Sequence, residues 1–142
     1  MLRLAQANQI VDAAFRKAAE MKVRPLAVVV LDAAGNVVCA QRQDGASMFR
    51  FDVAMGKAWG AVAMGASSRA LANRAKGNPN FFVTLASTAK GRLLPQTGAA
   101  LIKDSDGNII GSAGASGGSG DEDEACCVAG IESAELVADA SE

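Results

Sequence analysis

Leu4, Ala7, Val11, Ala14, Phe15, Ala18 and Met21 recur at intervals of three and four residues, which lays them along one stripe of a helix. Arg3, Asp12, Arg16, Lys17 and Glu20 fall mostly off that stripe, and Pro25 marks where the helix must stop. The period then changes. Leu26-Ala27-Val28-Val29-Val30-Leu31 is apolar throughout, Asp32-Ala33-Ala34-Gly35-Asn36 is turn-forming, and Val37-Val38-Cys39-Ala40 is apolar again. This predicts a β-hairpin, with Gly35 taking the positive φ of the turn. A first strand without polar alternation predicts a central position covered on both faces. The design returns at Ala100-Leu101-Ile102-Lys103, Asp104-Ser105-Asp106-Gly107-Asn108 and Ile109-Ile110-Gly111; both turns read D-x-x-G-N.

Between the hairpins, Phe51, Met55, Ala58, Trp59 and Val62 have helical spacing over Phe51 to Met64. Gly56 with Gly60, and Ala61 with Gly65, are small pairs four apart, which admit a second backbone from sheet, helix or subunit. Ser67 or Ser68 is placed to cap a short helix running to about Asn73. Gly77-Asn78-Pro79-Asn80 reads as a loop, and Phe81 to Leu94 as a short strand or irregular loop. A glycine-rich stretch, Gly111 to Gly120, leads to Asp121-Glu122-Asp123-Glu124 and a last helix through Ile131. Acids in a first turn suit the positive end of the helix dipole, and Ser119 is the candidate cap. Residues Ala138 to Glu142 should fray. The order α-β-β-α-α-β-β-α predicts an α+β domain over residues 1–142, with a central antiparallel sheet of about five strands.

Composition adds two facts. Half of the 142 residues are hydrophobic, but only 4% are aromatic, so small side chains build the interior. The net charge of −1 hides a segregation. From Val53 to Lys103 there is no acid, only Lys57, Arg69, Arg74, Lys76, Lys90, Arg92 and Lys103; beyond Lys103 there are ten acids and no base. The two blocks either neutralise each other or leave a basic pocket for a small anion. Basic residues without interleaved aromatics do not form a nucleic-acid surface. Cys39, Cys126 and Cys127 are odd in number, two of them adjacent, so they make no disulfide framework and no zinc motif. The N-terminus lacks a signal-peptide run and no segment approaches a membrane span, which leads to the expectation of a soluble cytoplasmic protein.

The chain has no histidine and no tyrosine. Ser-His-Asp and Cys-His mechanisms are therefore excluded, and a haem axial ligand would have to be methionine, cysteine thiolate or a weaker oxygen. The glycine-rich stretch lacks the GxxxxGK[ST] spacing, and the acids after it repel phosphate. The acidic quartet compensates a helix dipole more readily than it chelates a cation, because consecutive helical residues diverge. Asp123 or Glu124, if buried, is a candidate general base. Lys57, beside Trp59, and Arg50 are candidate carboxylate clamps; the competing reading of Lys57 is a surface charge.

Ser116-Gly117-Gly118-Ser119-Gly120-x-x-Asp123-Glu124, followed by Ala129-Gly130, resembles the SGGxGxxDE signature of the GlcG/HbpS (PduO C-terminal-like) family. In matching order, Leu26 to Asp32 with Gly35 resembles its first hairpin, with Asp44-Gly45-Ala46 after it. Ala54-x-x-Lys57-Ala58 resembles its AxxKA motif, and Pro95-x-x-Gly98 its PxxGG approach with Ala99 for the second glycine. The resemblance spans nearly the whole chain. It implies an antiparallel sheet with helices on both faces, similar to roadblock and profilin domains, and homo-oligomers, octamers among them. It also implies small-ligand binding, with haem or another tetrapyrrole as a candidate cofactor. In relatives haem binding goes with a histidine or a Pro-Thr step; here that step is Ser67-Ser68, so only a hydroxyl, on Ser68, stands in for the threonine. The resulting candidate ligand-binding set is Arg50, Lys57, Ser68, Arg69, Gly117, Gly118, Asp123 and Glu124, for haem or an anionic organic metabolite. Two alternatives stand beside it: proton-transfer catalysis by Asp123 or Glu124 with Lys57, and an assembly protein whose small-residue helix faces build an oligomer.

Overall fold

The computed structural model describes residues 1–142. Helix α1 (Leu4–Glu20) is followed by strands β1 (Ala27–Asp32) and β2 (Val37–Arg42), helices α2 (Phe49–Met64), α3 (Ser68–Gly77) and α4 (Pro79–Thr88), strands β3 (Ala99–Lys103) and β4 (Ile109–Ser116), helix α5 (Gly120–Ser133) and strand β5 (Val137–Asp139). The five strands form one sheet in the order β2-β1-β4-β3-β5, every neighbouring pair antiparallel. No helix is long and apolar enough to cross a membrane.

The two D-x-x-G-N turns fold alike because they carry the same chemistry. Asp32 Oδ1 accepts the Ala34 and Asn36 N–H groups at 2.9 and 3.0 Å; Asp104 Oδ1 accepts those of Asp106 and Asn108 at 3.0 and 2.9 Å. Gly35 and Gly107 hold φ of +82° and +85°, which side-chain-bearing residues rarely adopt. The Asn108 N–H draws the Asp104 carboxyl below its ordinary value.

β1 is covered on both faces, as its unbroken apolar run predicts. Val28 and Val30 join Ile10, Val11, Ala14, Cys126, Cys127 and Ile131 under α1 and α5. Val29 and Leu31 meet Ala54 and Ala58 of α2 on the other side. A third cluster, Leu71, Phe82, Ala89 and Leu93, lies under α3 and α4. In α1 the buried face is Ala7, Ile10, Val11, Ala13, Ala14 and Ala18, whereas Leu4 is exposed; the stripe is rotated slightly toward Ile10. The small residues serve the interior. A Cβ at Gly114 of β4 would overlap the Ala54 carbonyl oxygen, and one at Gly130 of α5 the Ile10 carbonyl oxygen. Gly56 and Gly60 face Leu94 and Leu93, so these small faces are consumed within the chain.

Four sequence expectations need correction. Residues 111–116 of the glycine-rich stretch belong to β4, paired with β1 throughout and with β3 over residues 111–114. α3 continues to Gly77, past the expected end, from an N-cap in which Ser67 Oγ accepts the Ala70 N–H. Pro79 opens α4 rather than sitting in a loop, and Phe81–Thr88 is helical; proline is well suited to a first helical position because its missing N–H is not needed there. The C-terminal residues do not fray at Ala138, because β5 pairs with β3 through Ala138↔Ile102.

That last strand is pinned by charge. Lys103 Nζ donates to Asp139 Oδ2 at 2.7 Å, and the Ser141 hydroxyl and N–H donate to Oδ1. The Lys103 hydrogen bond, then those from Ser141, pull the Asp139 carboxyl from 3.8 to about 2. A depressed folded-state pKa contributes stability that is full above the unfolded value and lost as pH falls through the folded one. Asp139→Asn should therefore remove about 1–2 kcal/mol at neutral pH. It should also flatten the loss of stability between about pH 4 and 2, measured by urea unfolding across that range.

Candidate functional site

α2 lies on the sheet through Ala54 and Ala58, and that seating carries Lys57 inward. Its side chain is 7% exposed and meets Asp123, 1% exposed, with Nζ 3.1 Å from Oδ2. Nζ also donates to the Ala115 carbonyl at 3.1 Å. Asp123 sits near the start of α5, where Ser119 and Glu122 form a reciprocal capping box. The Gly118 N–H donates to its Oδ1 at 3.0 Å. Both carboxylate oxygens thus hold a donor, and the helix dipole favours their charge. The surface-charge reading of Lys57 is overturned: its aliphatic stem is covered by β4 and by Gly98, where a Cβ would stand 2.5 Å from Nζ. Gly98, at φ +141°, is the reason a glycine ends the Pro95-x-x-Gly98 motif.

Arg50 precedes Lys57 on α2 by nearly two helical turns, so the two cations share a face. Its Nη1 donates to Ser116 Oγ at 3.3 Å, and it takes part in none of the ion pairs of the chain. Arg50, Lys57 and Asp123 line an open cleft of about 260 Å³. Its remaining polar walls are Gln96, Thr97 and Ser116, its apolar ones Val53 and Leu94, and Gly118 and Gly120 bring backbone to its edge. A larger open hollow of about 560 Å³ lies beside β2, lined by Phe15, Val23, Gln41, Arg42 and Asp44 among others. Its two charges are of opposite sign and Arg42 is spent on the Ala46 carbonyl, so the smaller cleft, where buried charge converges, is the stronger candidate.

Of the eight residues singled out from sequence, Arg50, Lys57, Gly118 and Asp123 line this cleft. The others do not. Arg69 is engaged by acids: Nε and Nη2 donate to Glu124 Oε2 and Oε1 at 3.0 and 3.1 Å, and Nη2 also pairs with Asp121. The Glu124 contact, then that of Asp121, raises the guanidinium further above its ordinary value. The segregated charge blocks thus meet at Arg69, at Lys57 and at Lys103, while Arg50, which precedes the basic block, has no acid at the cleft. Ser68, fully buried, accepts the Gly98 and Ala99 N–H groups at 3.1 and 2.8 Å and donates to the Ala99 carbonyl at 2.9 Å. It fixes the segment that floors Lys57. Gly117 lets β4 approach the Pro25 carbonyl. Sequence reasoning missed Gln96, Thr97 and Ser116; their signal was position, two just after Pro95 and one at the end of β4.

The thiols stand apart from this chemistry. Cys126 and Cys127 are fully buried, and burial pushes them up, Cys126 to about 11 and Cys127 well above its ordinary value. Cys39, half-buried and raised by desolvation, donates to Asn8 Oδ1 at 3.2 Å. None lines the cleft.

A family model described as haem degrading protein HbpS-like matches residues 2–132. No curated protein sequence matches the chain. Among solved structures, a PduOC–haem complex is 27% identical with a TM-score of 0.86, covering 97% of this chain and 98% of that one. Protein ORFY of Klebsiella pneumoniae is 25% identical, TM-score 0.84, with 94% and 90% covered. A double mutant of Streptomyces reticuli HbpS is 31% identical, TM-score 0.80, with 92% and 85% covered.

Proposed function

The chain belongs to the HbpS-like haem-degrading protein family, and on that premise we propose that it is a small-ligand-binding protein whose Arg50–Lys57 cleft receives the carboxylate of an organic anion. The observation that carries this reading is Arg50: a cation without an ionic partner, on the wall of a cleft whose other charges are paired. A guanidinium presents donors in a fixed fork that matches a carboxylate. Gln96, Thr97 and Ser116 add neutral hydrogen-bonding groups that orient what binds.

Haem fits this cleft only in part. Arg50 suits a propionate, but the lining residues include no histidine, tyrosine, cysteine or methionine to hold iron. The volume also falls just below the roughly 300–1,000 Å³ of common ligand pockets. The reading therefore rests on carboxylate recognition and not on iron ligation. Its test is titration of the protein with haemin and with simple organic acids, followed by the Soret band and by backbone amide shifts. Arg50→Gln should weaken binding about 10- to 100-fold, the worth of a charge-assisted pair; affinity unchanged in that variant would end the reading.

A second reading, proton transfer in small-molecule catabolism, draws support from the buried Lys57–Asp123 pair at the cleft wall. Asp123 is the base and Lys57 the electrophilic partner in it, with Glu124 removed to its pair with Arg69. Exchange of solvent deuterium into pyruvate that vanishes in Asp123→Asn would support it, and no exchange in the wild type would end it. We further propose that copies of the chain assemble. Val37, Met48, Phe49, Phe81 and Val83 are all about half or more exposed, apolar side chains that a neighbouring copy would cover. Light scattering should report a homo-oligomer, as large as an octamer; a monomer would refute this. Free cysteines suit the reducing cytoplasm in this reading.

A further inference from the structure

We infer that the cleft selects short monocarboxylates carrying a neutral oxygen near the acid group, and discriminates against dicarboxylates; this rests on the carboxylate-binding reading above. Lys57 and Asp123 neutralise each other at 3.1 Å within the wall. Arg69, the first cation of α3, faces two acids, Glu124 and Asp121. Glu122 has no ionic partner. Its Oε1 accepts the Ser119 N–H at 2.9 Å and stands against Gly118, which lines the cleft. One unpaired positive charge in the cleft wall therefore meets one incoming carboxylate, with the unpaired Glu122 behind Gly118.

A second carboxylate has nowhere favourable to go. It would lose water beside Asp123 and near Glu122 with no unpaired cation left to meet it, and a buried charge left unpaired is expensive. A neutral hydroxyl or carbonyl next to the bound carboxylate, by contrast, meets donors from Gln96, Thr97 and Ser116. A chain of two to three carbons fits against Val53 and Leu94 in about 260 Å³.

The test compares matched acids on the full chain by amide chemical-shift titration: lactate, its dicarboxylate counterpart malate, and propionate, which lacks the hydroxyl. Lactate should bind at least tenfold more tightly than malate and measurably more tightly than propionate, with the largest shifts at Gly118, Gly120 and Thr97. Arg50→Gln should weaken lactate at least tenfold. Glu122→Gln keeps the capping hydrogen bond while removing the charge, and should narrow the lactate-to-malate ratio at least threefold. Malate binding as well as lactate, propionate matching lactate, or a ratio unmoved in Glu122→Gln would overturn the inference. Haemin binding that depends on Arg50, in a protein that ignores all three acids, would overturn it while sparing the broader reading. Failure of haemin and of every acid to bind the wild type would remove both.

Discussion

Lys57→Met is expected to lower folding stability by about 3–5 kcal/mol, the cost of stranding a buried charge. Methionine keeps the length of the stem over Gly98, so packing changes little, while Asp123 loses its cation and retains only the Gly118 N–H. Asp123→Asn should cost less, about 2–4 kcal/mol. The asparagine carbonyl still accepts from Gly118, and Lys57 keeps the Ala115 carbonyl. Combining Lys57→Met with Asp123→Asn removes both charges together and should be markedly less destabilising than the sum of its parts. Urea unfolding of the four proteins gives the coupling directly. Single variants within about 0.5 kcal/mol of wild type would mean that the pair is solvated and not the wall of the cleft.

The second large effect should follow from one methyl group. Gly114 lies in β4 between Val29 of β1 and Ala99 of β3, with α2 directly on it. A Cβ there overlaps the Ala54 carbonyl oxygen, and stands 2.9 Å from the Ala58 Cβ and 3.2 Å from the Ala58 nitrogen. The obstructing atoms are mostly backbone, so no rotamer change relieves the clash and the helix itself must lift. Overpacking ordinarily costs about 1–3 kcal/mol, and Gly114→Ala should fall at the top of that range, with a fall in Tm of about 10 °C. Because α2 carries Arg50 and Lys57, ligand affinity should drop with it. Gly77→Ala is the control. A Cβ at that position, the last residue of α3, meets nothing within 4 Å, so it should be neutral or stabilise by up to about 1 kcal/mol. Equal melting of the two variants would show that α2 is not seated on β4 as described.

How much of this was legible beforehand depends on the range of the interaction. The hairpin turns and the α5 cap are local, written within five residues by Asp and Ser side chains that bond nearby backbone and by glycines that take the positive φ. β1 was legible because an unbroken apolar run has few alternatives. α4 was not: in Pro-Asn-Phe-Phe-Val-Thr-Leu only Phe82 is fully buried, so no stripe of one period stands out, and its β-branched and aromatic residues also suit a strand. β5 is three residues long and exists only because β3 offers an edge. The site divides in the same way. Motifs pointed to Lys57, Gly118 and Asp123, but the burial of Lys57 depends on a partner 66 residues away. The competition of Asp121 and Glu124 for Arg69 spans more than 50 residues, which no spacing rule reports.

The strand order has a consequence for how the chain is made. β1 lies between β2 and β4, and Val29 cannot meet Gly114 until translation has advanced 85 residues further. At about 5–20 residues per second that is roughly 4–17 s. Throughout that interval the most apolar ribbon in the molecule has one finished neighbour and one open edge. A nascent chain in this state is a natural client for a ribosome-associated chaperone, and slowing synthesis between β2 and β4 lengthens its exposure.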